Sequence, residues 1–159
     1  MPLKEELGLR ESFKHREHEV LLGIYYTASI LKKKADEFFR TRELTDVQFN
    51  VLMLLKSQCG EEGGLTQVEL SRMMLVNRAN ITSLVDRMEK ANLVTRVATP
   101  GDRRYNLIKM TKRGERIFMA VAEEYHHAVD EVMGALNDSE KKTLSGLLEK
   151  LRKHLPDQG

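Results

Sequence analysis

Apolar residues recur at three- and four-residue spacing from Leu21 through Ile24, Tyr25, Ala28, Leu31 and Ala35 to Phe38. This period predicts one long helix over residues 17–40, with Lys32–Lys34 on its outward face. The stretch LTDVQF sets Thr45 three residues before Gln48 and flanks the pair with Leu44 and Phe49. That is a capping box inside a hydrophobic staple, so a second helix starts there and runs through Val51, Leu52 and Leu55 to about Cys59. The segment CGEEGG ends it, because glycine loses the most backbone entropy in a helix. LTQVEL repeats the same grammar with Thr66, Glu69, Leu65 and Leu70, and predicts a short helix over residues 67–73. After a turn at 74–76, Asn77 is the expected N-cap of a further helix reaching about Ala91. Val76 and Ile81 form its staple, and Ile81, Leu84, Val85 and Met88 its apolar stripe.

The period then changes. Leu93–Ala98 and Tyr105–Met110 alternate, with Val94, Ala98, Ile108 and Met110 on the apolar side, around a Pro-Gly turn. They predict a short hairpin. Two more helices follow. One over about 112–136 is expected to bury Ile117, Val121, Ala128 and Val132. The other is capped by Asn137 with Glu140 and carries the stripe Leu144, Leu147, Leu148, Leu151 and Leu155. Two helices joined by a three- to four-residue turn, the second opening on polar side chains, make a helix-turn-helix. With the hairpin directly behind it, the predicted fold is mainly α with a small β-hairpin wing.

Charge sharpens this picture. The 159-residue chain has a net charge of only +2. Yet residues 72–116 hold eleven Lys/Arg against four Asp/Glu, and the rest of the chain is acidic. A basic block in an acidic chain suits a polyanion, although a solvated charged surface explains the counts equally well. No apolar run approaches the roughly 20 residues that span a bilayer, so no membrane segment is expected. The charged N-terminus does not read as a signal peptide. Cys59 is the lone cysteine, which fits a reducing cytoplasm without disulfides and reads as a small apolar residue. His15 and His18 lie one turn apart with no cysteine to join them, and adjacent His126 and His127 point to different helix faces, so no metal is expected. No G-x-S-x-G, H-E-x-x-H or G-x-x-x-x-G-K occurs; no enzymatic activity and no cofactor are expected.

The residues suited to DNA fall in two places. The helix from Asn77 offers Asn77, Arg78, Asn80, Thr82, Ser83 and, further on, Arg87. Arginine pairs with guanine, asparagine with adenine, and a threonine methyl meets thymine. A helix N-terminus also attracts phosphate. On its own such a helix is more often an ordinary solvated face. The hairpin adds Arg103 and Arg104 at the expected tip, placed to enter a minor groove. Asp102 repels phosphate, so its expected use is to orient a neighbouring arginine, Arg104 or Arg87.

LTQVELSRMMLVNRANITSLVDRMEKANLVTRVATPGDRRYNLIKMTKRG resembles the winged helix-turn-helix core of the MarR family of bacterial transcriptional regulators. The T-x-x-E-L helix, ITSLVDRMEKANLV and the D-x-R wing leading into IKMTKRG carry the likeness. The long first helix and the two closing helices extend it over nearly the whole chain. Asn92 stands where the family usually has glycine, and Asn77 where serine is frequent; asparagine suits both positions. The resemblance implies a homodimer on a pseudo-palindromic operator, with recognition helices about 34 Å apart. It implies three regions: a dimerisation segment 1–44, a DNA-binding lobe 45–111 and dimerisation helices 112–159. It also implies a ligand-responsive repressor sensing a small aromatic or phenolic ligand in a cleft drawing on Tyr25, Tyr26, Phe38, Phe49 and Phe118, although plain core packing is the commoner use of such residues. The competing reading is a winged-helix protein–protein interaction module without specific DNA binding.

Overall fold

A computed structural model describes residues 2–60, 63–74, 78–99 and 102–155, without the side chains of Arg78, Thr99 and residues 102–105. The expected cap Asn77, its staple partner Val76 and the Pro100–Gly101 turn lie outside the described residues. The elements run α1 (Leu3–Glu6), α2 (Arg16–Phe39), α3 (Asp46–Ser57), β1 (Leu65–Thr66), α4 (Gln67–Met74), α5 (Arg78–Lys90), β2 (Val94–Thr99), β3 (Asp102–Met110), α6 (Lys112–Met133) and α7 (Asp138–His154). Every helix read from the periodicity is present, within one to three residues of its expected ends. The single turn of α1 was not foreseen.

The helix starts follow their side chains. At α3, Gln48 N–H donates to Thr45 Oγ1 (3.3 Å) and Thr45 N–H to Gln48 Oε1 (2.9 Å). At α7 the same reciprocal pair joins Asn137 and Glu140 at 2.8 and 3.0 Å. At α4, Glu69 takes both the Thr66 N–H (2.7 Å) and the Thr66 hydroxyl (2.8 Å). These bonds, the backbone one first, hold the Glu69 carboxyl below the usual carboxylate range. A carboxylate with a depressed folded-state pKa stabilises the fold above that range, and the contribution is lost as pH falls through it. Thr66→Ala is therefore expected to cost about 1 kcal/mol at neutral pH and, because alanine keeps the backbone N–H, to lessen the acid-side loss of stability only in part. Urea unfolding at neutral and acid pH checks both.

The sheet is antiparallel in the order β1-β3-β2. β1 pairs Leu65 with Ile108 and Thr66 with Leu107. This two-residue strand is too short to show a period. Gly64 lets it approach, since a Cβ there would stand 2.9 Å from the Ile108 carbonyl oxygen. β2 pairs Val94 with Met110 and Arg96 with Ile108, and a bulge between Ala98 and Thr99 leaves Thr99 opposite Asp102. The second arm of the hairpin is thus longer than alternation suggested, and the first is shifted by one residue. Asp102, Arg103 and Arg104 open β3 rather than form the turn, because pairing continues through the bulge to the Pro-Gly dipeptide. Of the expected inward positions, Val94 and Ile108 are buried, Met110 is half-buried and Ala98 is exposed.

By compactness the chain divides into two units, Met1–Ile117 and Phe118–Gly159. The first unit's core joins the staple residues Leu44, Phe49, Leu65 and Leu70 to Leu52, Ile81, Val85, Met88, Val94 and Ile108, all buried. The apolar stripes of the long helices behave differently. On α2 only Phe39, outside the predicted stripe, is buried. Leu21, Tyr25 and Leu31 are exposed. In the second unit Val121 is buried, but Val132, Leu144, Leu147, Leu151 and Leu155 are exposed, Leu147 to 61%. The expected burial of Val132 and of these stripes therefore does not occur within one chain. A continuous apolar helix face left in water is unfavourable, and such faces mark surfaces that another molecule covers.

Candidate nucleic-acid interface

α5 is strongly two-faced. Ile81, Leu84, Val85 and Met88 are buried, while Asn80, Thr82, Ser83 and Arg87 are exposed. The polar set at its N-terminal end thus shares an open face, and α4 packs against α5 as the first helix of the pair. Asn77 and the side chain of Arg78 lie outside what is described. So do the side chains of Asp102, Arg103 and Arg104, including the expected orienting contact of Asp102. Their backbone, apart from Asn77, is placed: Arg78 is the first residue of α5, and residues 102–104 begin the central strand of the wing.

Arg87 differs from its expected companions. At 1.5 Å per residue it lies about 13 Å along the helix from Arg78. Its Nε donates to the Ser83 carbonyl (3.3 Å), and it lines a cleft of ≈ 470 Å³ with Asp36, Asp46, Gln48, Asn80 and Leu84. Two of those acids are already engaged, since Lys32 Nζ donates to Asp46 at 2.6 Å and Asp36 at 2.7 Å. None of Tyr25, Tyr26, Phe38, Phe49 and Phe118 lines this cleft. Phe49 is 1% exposed and packs on Phe39, ring centres 5.3 Å apart. Phe118 is buried, and Phe38 carries the Arg42 guanidinium over its ring at 3.6 Å. Tyr25 stands exposed. Phe49 and Phe118 are buried in the single chain, and the cleft beside α5 is lined by charged and amide side chains together with Val47 and Leu84.

The basic block is also partly self-neutralised. Arg96 on β2 bridges Asp86 (2.5 Å) and Glu89, both on α5. Arg113 pairs with Glu43 at 3.0 Å, and Glu115 with Lys56 at 2.7 Å. Three of the block's four acids thus sit in ion pairs, and Arg96, one of the block's eleven cations, is engaged within the fold. The sequence carried a signal for it: two acids three apart on a helix, then an arginine on the next strand.

Two further residues escaped notice. The Thr111 hydroxyl donates to the Asn92 carbonyl (2.6 Å) and accepts from Gly114 N–H (3.0 Å), capping α6 while tying it to the end of α5. Asn92 itself has φ 55°, the left-handed conformation that asparagine tolerates. Gly114 lies so close to Leu93 that a Cβ would meet the Leu93 carbonyl oxygen at 2.1 Å. Among the described residues no group of three or more His, Cys, Asp or Glu gathers as for a metal, Cys59 is half-buried, and no helix is long and apolar enough to cross a membrane.

The sequence pattern of the MarR family matches residues 44–105. The chain is 33% identical to the transcriptional activatory protein BadR of Rhodopseudomonas palustris, over 76% of this chain and 70% of that protein. It is 25% identical to the transcriptional repressor MprA of Escherichia coli, over 96% and 86% respectively. Its fold matches that of a mutant MarR from E. coli complexed with operator DNA, with TM-score 0.74 and 26% identity over 91% of this chain and 100% of that one.

Proposed function

This chain belongs to the MarR family, and on that premise we propose that it is a homodimeric, sequence-specific double-stranded DNA-binding transcriptional regulator. The observation that carries the reading is the open polar face of α5, set behind α4 and beside the β2–β3 hairpin. The exposed α5 side chains have the chemistry that reads base edges, and the hairpin opens its central strand with two arginines. We assign Asn77, Arg78, Asn80, Thr82 and Ser83 to the major groove, and Arg103 and Arg104 to the minor groove. Arg87, a turn and more further along α5, suits a phosphate or the cleft it lines.

The exposed apolar faces of α2, α6 and α7 are covered by a second copy in this reading. Segments 1–44 and 112–159 then serve dimerisation, and 45–111 is the DNA-binding lobe. The protein acts in the cytoplasm, without enzymatic activity or cofactor. It represses where its operator overlaps a promoter and bound dimer excludes polymerase. A small aromatic or phenolic anion is the ligand class, and Arg87, Asn80 and Gln48 offer it a cation and amide groups in the cleft beside α5, whose two carboxylates, Asp36 and Asp46, are held by Lys32. Such a ligand releases DNA only if it binds the DNA-incompetent arrangement more tightly.

The test is a titration of the purified protein with duplexes selected from random DNA. Arg78→Ala is expected to cost about 1–3 kcal/mol and to relax preference at one position of the half-site. Arg104→Ala is expected to weaken all sequences alike and, removed from both lobes of the dimer, to lower the salt slope by about two. If both variants bind like the wild type, the residue assignment is wrong. If the wild type prefers no sequence and binds without salt dependence, the protein-interaction reading takes its place.

A further inference from the structure

We propose that Arg96 is a positioning residue for DNA recognition: held by Asp86 and Glu89, it fixes the wing against the recognition helix and touches no DNA. The proposal rests on the reading of α5 and the hairpin as DNA-binding elements. Arg96 stands on β2, an edge strand of the sheet. Its guanidinium reaches Asp86 Oδ1 at 2.5 Å and also Glu89 Oε2. The other Glu89 oxygen accepts the Arg96 backbone N–H at 2.9 Å. Strand and helix are thus joined by three bonds that converge on one residue.

Each part of the arrangement suits a clamp. Asp86 and Glu89 are three apart, so they share one side of α5. A planar guanidinium presents separate N–H groups to the two carboxylates in one rigid fork, which the flexible ammonium of a lysine lacks. The edge-strand N–H, which β3 does not take, finds its acceptor on the helix. That bond, first among the causes, keeps the Glu89 carboxyl below its usual range, so it stays ionised opposite Arg96 through neutral pH. The Arg96 side chain is only 23% exposed, whereas a cation meant for a phosphate stands free in water. Both acids also lie inside the basic block, where they weaken the field that draws in DNA. Holding Arg96 gives them a use. A major-groove helix and a minor-groove wing must be presented at a fixed mutual spacing, and α5 and β2 are the elements that these bonds lock.

Glu89→Gln, Arg96→Met and the double variant are titrated, as full-length protein, with the duplex that the wild type selects from random DNA, at several salt concentrations. Each single variant is expected to lose roughly tenfold in affinity, and the double no more than the worse single. The slope of log affinity against log salt stays that of the wild type, because no phosphate contact is lost. Glu89→Gln decides the matter. Removing a negative charge beside a polyanion strengthens attraction, so an acid without a positioning role gives tighter binding, and the clamp gives weaker. Should Arg96→Met fail to fold, Glu89→Gln, which keeps an acceptor for the Arg96 N–H, carries the test alone. Glu89→Gln binding as tightly as wild type or tighter, or a slope reduced by about two, one per lobe, in Arg96→Met, overturns the proposal. A wild type that selects no duplex overturns the DNA reading with it, whereas wild-type binding with unaffected variants overturns the clamp alone.

Discussion

Replacing Gly114 by alanine is expected to destabilise the protein by about 3 kcal/mol, at the upper end of ordinary overpacking. A Cβ at this position would lie 2.1 Å from the Leu93 carbonyl oxygen, 3.0 Å from the Leu93 carbonyl carbon and 3.1 Å from Met110 Cγ. The closest of these atoms are backbone, so no side-chain rotation relieves the clash. The Leu93 carbonyl is moreover held in place: it accepts from the Thr111 N–H at 3.1 Å, while the Thr111 hydroxyl, which donates to the neighbouring Asn92 carbonyl at 2.6 Å, lies 3.2 Å away. To admit a methyl, α6 must pull away from the corner between α5 and β2, and the Thr111 cap must stretch with it. For a chain of this length the loss lowers the thermal midpoint by roughly 6–12 °C. Gly60 is the control: it has nothing within 4 Å of a built Cβ, so Gly60→Ala is expected to change stability by less than about 0.5 kcal/mol. A Gly114→Ala protein as stable as Gly60→Ala would show that the α6 start is not seated where described.

Leu147→Asp is expected to weaken dimerisation by about a thousandfold while leaving α7 helical. Leu147 is 61% exposed in the single chain, and Leu144, Leu151 and Leu155 are exposed beside it. Leu144, Leu147 and Leu151 fall at the three- and four-residue spacing of one helix face, and Leu155 follows as its C-cap. Burying a leucine stabilises by about 1.5–3 kcal/mol, and two-fold symmetry counts every interface residue twice. Aspartate removes that gain and adds the cost of burying a carboxylate or leaving a gap, so a total above about 4 kcal/mol per dimer follows, which is a factor of a thousand. Sedimentation equilibrium reads the constant directly, and far-UV circular dichroism reads the helix. Operator affinity should fall in parallel, since a single lobe holds one half-site. A variant that stays dimeric at wild-type strength would place the interface on some other face.

Much of this fold is legible in the residues. Thr45 with Gln48, Thr66 with Glu69 and Asn137 with Glu140 announce helix starts because each box closes within four residues. Leu44, Phe49, Leu65 and Leu70 are buried as their staples require. What could not be read depends on partners far along the chain or outside it. β1 exists only because Ile108 and Leu107 pass beside Leu65 and Thr66. The reach of the hairpin was set by a bulge at Ala98 and Thr99, which alternation does not signal. Periodicity marks Leu21, Tyr25, Leu147 and Leu155 as apolar faces but does not say whether their own chain covers them. The charge count of the DNA-facing block was right as arithmetic and incomplete as physics, because Arg96 meets Asp86 and Glu89 in space. Nor does periodicity say which aromatic residues their own chain covers: Phe49 is buried and Tyr25 exposed.

The most direct test of DNA recognition by a symmetric dimer is the stoichiometry and salt dependence of binding to a selected duplex, measured together by sedimentation. Two chains per duplex are predicted, with a log–log salt slope of about −5 or steeper from the phosphates neutralised by two lobes. One chain per duplex, or affinity that does not change between low and moderate salt, would contradict it.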